Sequence, residues 1–356
     1  MDSELPRSER PLAIPSGQNA VRHARTVATY LTAGVFVCTN GRDKSQTKTL
    51  VERTIPSIEG VRGETKLVLE AARLLGPLEL FLLYALAGIA FACSDQPAFA
   101  LVTKDTTDDV LKQVRDALYE SLTDGEHVAT HEHLDVITGV TTRAILRQQL
   151  AKSCCGANIT MVDEGLEGLE GFGTKEIDAR GNKTFTRALK LSRVSGDENQ
   201  PFRFALDWRI TMAIAFHGNV QAGVQFVQIS LQEHRALSGK TAAAEVAQLL
   251  HPQIAHLVRE GEYRPRDLDD FVELAYGPFK VKGLTAKQQR QYVGRTRVQE
   301  ITVDTLKRRR TAVRSALSKI NEVCDWIEIR LPTPRGRVVE LSRPKRITAE
   351  PKDSGT

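Results

Sequence analysis

Apolar residues recur along this chain with two periods, and the period switches where turn residues sit. From Leu78 to Ala92 almost every position is apolar, and Gly76-Pro77 stands before it. That predicts a helix buried on all sides with proline at its start. Asp108–Leu122 places Val110, Leu111, Val114 and Leu118 on one face and predicts an amphipathic helix. Thr49–Ile55 and Thr65–Glu70 read as strands separated by glycine-containing turns. Glu132–Ile137 reads as a short helix, Gly139 as a turn, and Thr141–Lys152 as a second helix. In this helix-turn-helix pattern Ile145, Leu146 and Leu150 face inward, while Arg143, Arg147, Gln148 and Lys152 are candidates for an outward face. Strands are expected at Ala157–Asp163, Thr184–Val194 and Phe202–Leu206. The acidic, glycine-rich run Glu164–Gly173 reads as a flexible loop or a long hairpin tip. Met1 to about Arg25 has no apolar period and reads as a disordered tail.

A second unit begins near Asn219. Gln225–Ser230 reads as a strand and Leu231–Leu237 as a short helix. Lys240–Glu260 carries helix, interrupted or kinked near Pro252, and Asp267–Tyr276 carries another. Gly277–Gln299 is a basic insertion. The stretch Thr302–Trp326 then reads as one long helix, which Thr302 or Asp304 can cap. At about 100° per residue, Leu306, Val313, Ala316, Leu317, Ile320 and Cys324 share one face. Lys307, Arg308, Thr311, Arg314, Ser315 and Ser318 share the other. Small and hydroxyl-bearing residues allow close approach to a DNA major groove, and Arg and Lys reach base edges and phosphates. Arg309 falls at the core edge, where its stem lies over apolar neighbours and its head reaches sideways; Arg310 falls on the flank, suited to a phosphate. Trp326–Leu331 and Val338–Ser342 read as strands joined by a Pro332–Arg337 turn with Arg335 and Arg337 at its tip. A basic helix followed by such a hairpin is the order of a winged helix.

Charge sharpens this picture. The 356 residues carry a net charge of only +5, yet Lys280–Lys319 holds twelve Lys or Arg against two acids. A local basic block on a near-neutral body points to a polyanion site. The five cysteines are odd in number and lack metal-type spacing, which fits free thiols in a reducing, cytoplasmic setting. The longest uncharged run, Leu80–Cys93, is too short to span a bilayer, so no membrane partner is expected.

Several stretches resemble a known family. Val227–Ala242, Ala247–His251, Asp304–Leu317 and Leu341–Pro344 are similar to plasmid replication initiators of the RepC type, found on IncQ-like plasmids, and so is Leu75–Gly88. The likeness is patchy over Ala33–Lys345 and best in the second unit. It implies an α+β chain with two tandem winged-helix domains that binds direct repeats, called iterons, in double-stranded origin DNA. It further implies origin opening, loading of a replicative helicase, and self-association through the first domain. The expected layout is a disordered tail at 1–27, a first winged-helix domain at 28–219, a second at 220–346 that is the main DNA reader, and a tail at 347–356. The basic insertion and the acidic glycine-rich run depart from the family pattern. A winged-helix transcriptional regulator bound to a promoter operator is the alternative reading.

Other signals carry less. Ser238-Gly-Lys-Thr241 lacks the first glycine of a phosphate-binding loop, because His234 stands there inside a helix, and Ser238 reads as a helix cap. His131-Glu-His133 with His127 has a charged residue where a nickase metal pair has an apolar one. Cys154-Cys155 are adjacent and poorly placed to ligate together. The expectation is therefore a protein without cofactor, metal or catalytic residues.

Overall fold

The computed structural model of the chain describes residues 17–18, 21–27, 36–38, 49–55, 65–93, 95–96, 99–102, 109–123, 136–150, 152, 156–177, 181, 183–192, 196–207, 209–211, 226–285, 298–333 and 336–345. In chain order these form β1 (His23–Val27), β2 (Thr49–Ile55), β3 (Thr65–Ala71), α1 (Pro77–Ala92), β4 (Ala100–Val102), α2 (Asp109–Thr123), β5 (Val136–Thr141), α3 (Arg143–Gln149), α4 (Gly156–Glu170), β6 (Phe172–Ile177), β7 (Lys183–Arg187), β8 (Leu189–Leu191) and β9 (Phe202–Leu206). The second part holds β10 (Phe226–Ser230), α5 (Leu231–Ala236), α6 (Ala242–Leu257), β11 (Tyr263–Asp267), α7 (Leu268–Tyr276), β12 (Phe279–Val281), β13 (Gln299–Ile301), α8 (Val303–Val323), β14 (Glu328–Arg330) and β15 (Val338–Ser342). The chain is mixed α and β, as its two hydrophobic periods predict.

Helix α1 is the axis. Leu80 through Ala90 are essentially inaccessible, as a helix that is apolar all round requires. The Glu79 side chain closes its first turn by accepting the Gly76 N–H at 2.9 Å. Around α1 pack β1, β5, α3, α4, α5 and α6. Two antiparallel four-stranded sheets, in the orders β2-β3-β6-β7 and β4-β5-β9-β8, flank this core. Strand β1 pairs antiparallel with β10. A three-stranded antiparallel sheet, β11-β15-β14, lies beside α8 and α7, and β12 pairs with β13 in parallel.

One hydrophobic cluster runs from Val21 to Leu341 and includes residues of both predicted domains. Phe81 of α1 stacks on His234 of α5 at 5.4 Å between centroids. The two units therefore share a core. The predicted boundary at 217–223 lies outside the described residues.

The repetition is real but built from other elements than expected. Strand β5 leads into short α3 and long α4, and β10 leads into short α5 and long α6. Each short helix is capped by a hydroxyl at the strand–helix junction. Thr142 accepts from the Ile145 N–H at 3.1 Å, and Ser230 accepts from the Glu233 N–H at 3.2 Å.

Five expectations are corrected. Val136–Thr141 is a strand, so Gly139 is no turn; a Cβ there would lie 2.2 Å from Phe99 and 2.8 Å from Phe204, and glycine lets two aromatic rings close over the strand. Gly156–Glu170 is one helix where a strand and a loop were expected. Two of its glycines sit at packing surfaces: a Cβ at Gly165 would meet Leu82 at 2.5 Å, and one at Gly168 would meet the Arg73 guanidinium at 2.7 Å. The Thr184–Val194 strand breaks at Ala188 into β7 and β8, which belong to different sheets. The tail expected through residue 27 is ordered at its end. Val21 and Ala24 are buried, β1 pairs with β10, and the Gln18 side chain donates to the Val140 carbonyl at 2.7 Å. Helix α6, finally, runs through Pro252 without interruption, and its cap is Thr241, not Ser238.

Candidate nucleic-acid interface

Thr302 opens α8 by accepting the Thr305 N–H at 3.2 Å. The predicted inner face is the observed one: Leu306, Val313, Ala316, Leu317, Ile320 and Cys324 are all buried against α6, α7 and β14. This burial fixes which residues look outward. Lys307, Arg308, Thr311 and Ser315 are exposed, and Arg314 and Ser318 are half-buried. The hydroxyls stay close to the helix surface. Thr311 Oγ1 donates to the Lys307 carbonyl at 3.1 Å, and Ser318 Oγ donates to Glu322 at 3.2 Å. Arg308 has no partner among the described residues, while Lys307 makes only a loose, solvent-exposed pair with Asp304 at 3.5 Å.

The other cations of α8 are committed to the protein. Arg309 lies over the Tyr276 ring at 4.6 Å and donates to Gln299 Oε1 at 2.7 Å. This core-edge position is the one helical phase predicts, but the head is captured rather than free. Arg310 was expected on a phosphate; instead it forks onto Asp269 with Nε and Nη2 donating at 2.6 and 2.7 Å. Arg314 was expected on the groove; it donates to the carbonyls of Pro332, Thr333 and Gly336, at 2.8, 3.4 and 2.9 Å. It thus ties the hairpin loop to the helix. Lys319 donates to the Leu237 and Ser238 carbonyls at 2.9 and 3.1 Å. In the hairpin, Arg337 is exposed and Arg335 lies outside the described residues, as do Lys287, Arg290, Arg295 and Arg297 of the insertion.

The first unit corrects the sequence further. Arg143 and Arg147 are buried, at 8 % and 7 % exposure, because each holds the segment 196–200 or its surroundings. Arg143 donates to Asp163 at 2.8 Å and to the Gly196 carbonyl. Arg147 forks onto Glu198 at 3.0 and 3.3 Å and reaches the Lys152 carbonyl at 2.9 Å. Neither faces solvent. Gln148 and Lys152 are exposed. Helix α4 carries Asp163, Glu164, Glu167 and Glu170 and no cation, which suits it poorly to a phosphate backbone.

One cluster has the donor types of a metal site. Glu233, His251 and Cys324 bring their ligand atoms within 4.8 Å of one another. The Glu233 carboxylate, however, already accepts the Trp326 indole N–H at 2.9 Å and faces His251 Nε2 at 3.1 Å. Burial pushes that carboxyl up, but the His251 and Trp326 bonds outweigh it and hold it below the ordinary carboxylate value. A metal-bound histidine normally has its second ring nitrogen held by a partner. His251 Nδ1 is buried without one. These residues fit a hydrogen-bonded knot joining α5, α6 and the end of α8 better than a metal centre. The His131–His133 pair, His127 and Cys154-Cys155 lie outside the described residues, and no helix among the described residues is long and apolar enough to cross a membrane.

Sequence reasoning missed the partners that consume the block's charge. The signal was available in Asp269, an acid in the first turn of α7, which pairs with Arg310.

No protein-family model matches the chain, and no curated protein matches it in sequence. Among solved structures, the chain is similar to a selenomethionine form of domains 2 and 3 of RctB, at 8 % identity and a TM-score of 0.44, over 89 % of this chain and 98 % of that one. A second structure of RctB domains 2–3 aligns at 9 % identity and a TM-score of 0.39, over 88 % and 95 %. At that identity and score the likeness does not extend to function.

Proposed function

We propose that the chain binds double-stranded DNA through α8 and the β14–β15 hairpin. The observation that carries this reading is the exposed face of α8, where Lys307, Arg308, Thr311 and Ser315 stand together beside a hairpin that Arg314 holds in place. A long side chain with a fork, a lysine and two short hydroxyl residues suit a helix lying in a major groove. The succession α6, β11, α7, β12, β13, α8, β14, β15, with β15 central in its three-stranded sheet, supports reading this unit as a winged helix.

The RepC-type resemblance adds the kind of DNA. On that reading the protein is a plasmid replication initiator that binds direct repeats at an origin, promotes its opening and helps load a replicative helicase, with self-association through the first unit. Opening is driven by binding energy and DNA deformation rather than by cutting a strand. A nuclease footprint on the encoding plasmid tests both levels. Protection of a set of direct repeats beside an AT-rich segment is expected. Protection confined to an inverted repeat in a promoter would make the protein a transcriptional regulator, and nicking of supercoiled plasmid with a divalent metal would make it an enzyme.

A further inference from the structure

The outward stripe of α8 is bounded by acids. Asp304, Arg308, Thr311, Ser315, Ser318 and Glu322 follow one another at three- and four-residue steps, so they line one side of the helix. Asp304 and Glu322, at the two ends, are both exposed. Carboxylates repel phosphates, so the length of helix suited to close contact with DNA runs from Arg308 to Ser318. At about 1.5 Å per residue that is about 15 Å, or about four base-pair steps of 3.4 Å.

The short side chains of that stretch differ in what they can still offer. Ser315 is exposed and has no bond among the described residues, so its hydroxyl can turn to donate or to accept. Ser318 has given its proton to Glu322 at 3.2 Å. Thr311 has likewise given its proton, through Oγ1, to the Lys307 carbonyl one turn back at 3.1 Å. The donor that could meet a base acceptor is spent on the helix itself. What Thr311 keeps, and Ser318 lacks, is an exposed γ-methyl group.

Contact through a methyl demands close approach, because the group reaches no farther than a γ-carbon. The neighbours of Thr311 permit it. Ala312 is half-buried, and Ser315 and Ser318 are short. The long side chains Lys307 and Arg308 stand at one end of the stretch. Arg314 is drawn aside to the hairpin loop by its bonds to Pro332, Thr333 and Gly336. Between Thr311 and Ser318, therefore, no long side chain of this face holds the helix off the base edges.

We propose that Thr311 is a specificity-determining residue that selects thymine, its γ-methyl packing on the C5-methyl group that thymine alone presents in the major groove. This rests on the reading of α8 as the helix that enters the groove. It adds to that reading a base identity and the side chain that enforces it. The hydroxyl of Thr311 serves the helix, and the methyl serves the DNA.

The test uses the full chain and a duplex that it enriches from a random pool, with affinities read by fluorescence anisotropy. Each thymine of that duplex is replaced in turn by deoxyuridine, which removes the C5-methyl group and nothing else. One replacement should weaken binding by about fourfold, the worth of one buried methyl-sized group. Thr311→Ser keeps the hydroxyl and its bond to the Lys307 carbonyl but lacks the methyl, so it should bind the thymine and deoxyuridine duplexes equally. Thr311→Val lacks the hydroxyl but keeps the methyl, so the fourfold difference should remain. Each comparison is a ratio within one protein, so a small change in folding does not enter it. A penalty that persists in Thr311→Ser, one that vanishes in Thr311→Val, or no penalty at any thymine overturns the assignment and leaves α8 a DNA reader. A pool that yields no preferred duplex overturns the DNA reading, and the assignment falls with it.

Discussion

Arg310→Ala should lower stability and leave DNA affinity nearly intact. Free arginines on this helix would do the opposite. The fork from Arg310 onto Asp269 is short at both contacts, and the side chains are 23 % and 11 % exposed. A fully exposed pair is worth about 0–1 kcal/mol. Removing one partner of a fully buried pair costs about 3–5 kcal/mol. This pair lies between those limits. Asp269 also sits in the first turn of α7, whose dipole offsets about 0.3–1 kcal/mol of the stranded charge. The expected loss for Arg310→Ala is therefore about 2 kcal/mol. Urea unfolding of Arg310→Ala, Asp269→Ala and the double variant should give a coupling energy above about 1 kcal/mol. Asp269→Ala has a second consequence, because it releases a guanidinium on the flank of α8. Its DNA affinity should rise at low salt, and the slope of log affinity against log salt should steepen by about 0.9, the value of one added phosphate contact. The reasoning fails if Arg310→Ala keeps wild-type stability while its salt slope flattens by that amount. The ion pair would then open on DNA and the arginine would serve the phosphate after all.

Three further outcomes follow from the same geometry. Arg308→Ala should cost about 1–3 kcal/mol on the cognate site and relax discrimination at one base position, read by competition between cognate and scrambled duplexes. Arg314→Ala should free the hairpin loop from three carbonyl contacts, so that the hydroxyl-radical footprint contracts on the hairpin side while base discrimination by α8 persists; an unchanged footprint would show the loop to be rigid without it. His234 is fully buried with both ring nitrogens unpartnered, and burial, with the nearby His251, holds it well below 6.5. The unfolded chain therefore takes up that proton first, and stability present above about pH 6.5 is lost as the pH falls, at up to about 1.4 kcal/mol per unit. His234→Phe, stacking between Phe81 and Tyr84, should remove this part of the acid sensitivity, and equal urea midpoint shifts for both proteins between pH 7 and 5.5 would rule it out.

The long periodic elements were legible because a single local rule decides them. Helix α1 is apolar on every side, and α8 divides cleanly into an apolar and a polar face; both lie where the pattern puts them. Glycine misled the reading wherever its role is tertiary. In Gly156–Glu170 two interior glycines, Gly165 and Gly168, with Gly171 just past the end, resemble a flexible linker. They are instead the places where this segment meets α1, Arg73 and Ala72 at distances no side chain permits. Gly139 likewise looks like a turn until Phe99 and Phe204 arrive from 40 and 65 residues away in sequence. Strand β1 was invisible for a related reason, because its partner β10 is about 200 residues distant and only Ala24 and its bonds to β10 reveal it.

The site shows the same limit in electrostatic form. A count of cations measures charge, but a binding surface depends on charge that the fold leaves uncommitted. The sequence of α8 offers six Lys or Arg, and helical phase alone separates those facing the core from those facing out. It cannot see that Asp269 takes Arg310, that the hairpin carbonyls take Arg314, or that the Leu237 and Ser238 carbonyls take Lys319. Each of these contacts converts a potential phosphate ligand into a brace between α8 and a neighbouring element. What remains at the exposed face is Lys307 and Arg308 with two short hydroxyl residues, fewer charges on a stiffer frame. Such a surface gives up salt-dependent, sequence-blind attraction, which grows with every free cation. It keeps the helix and hairpin in fixed relation, and base discrimination depends on that fixed geometry.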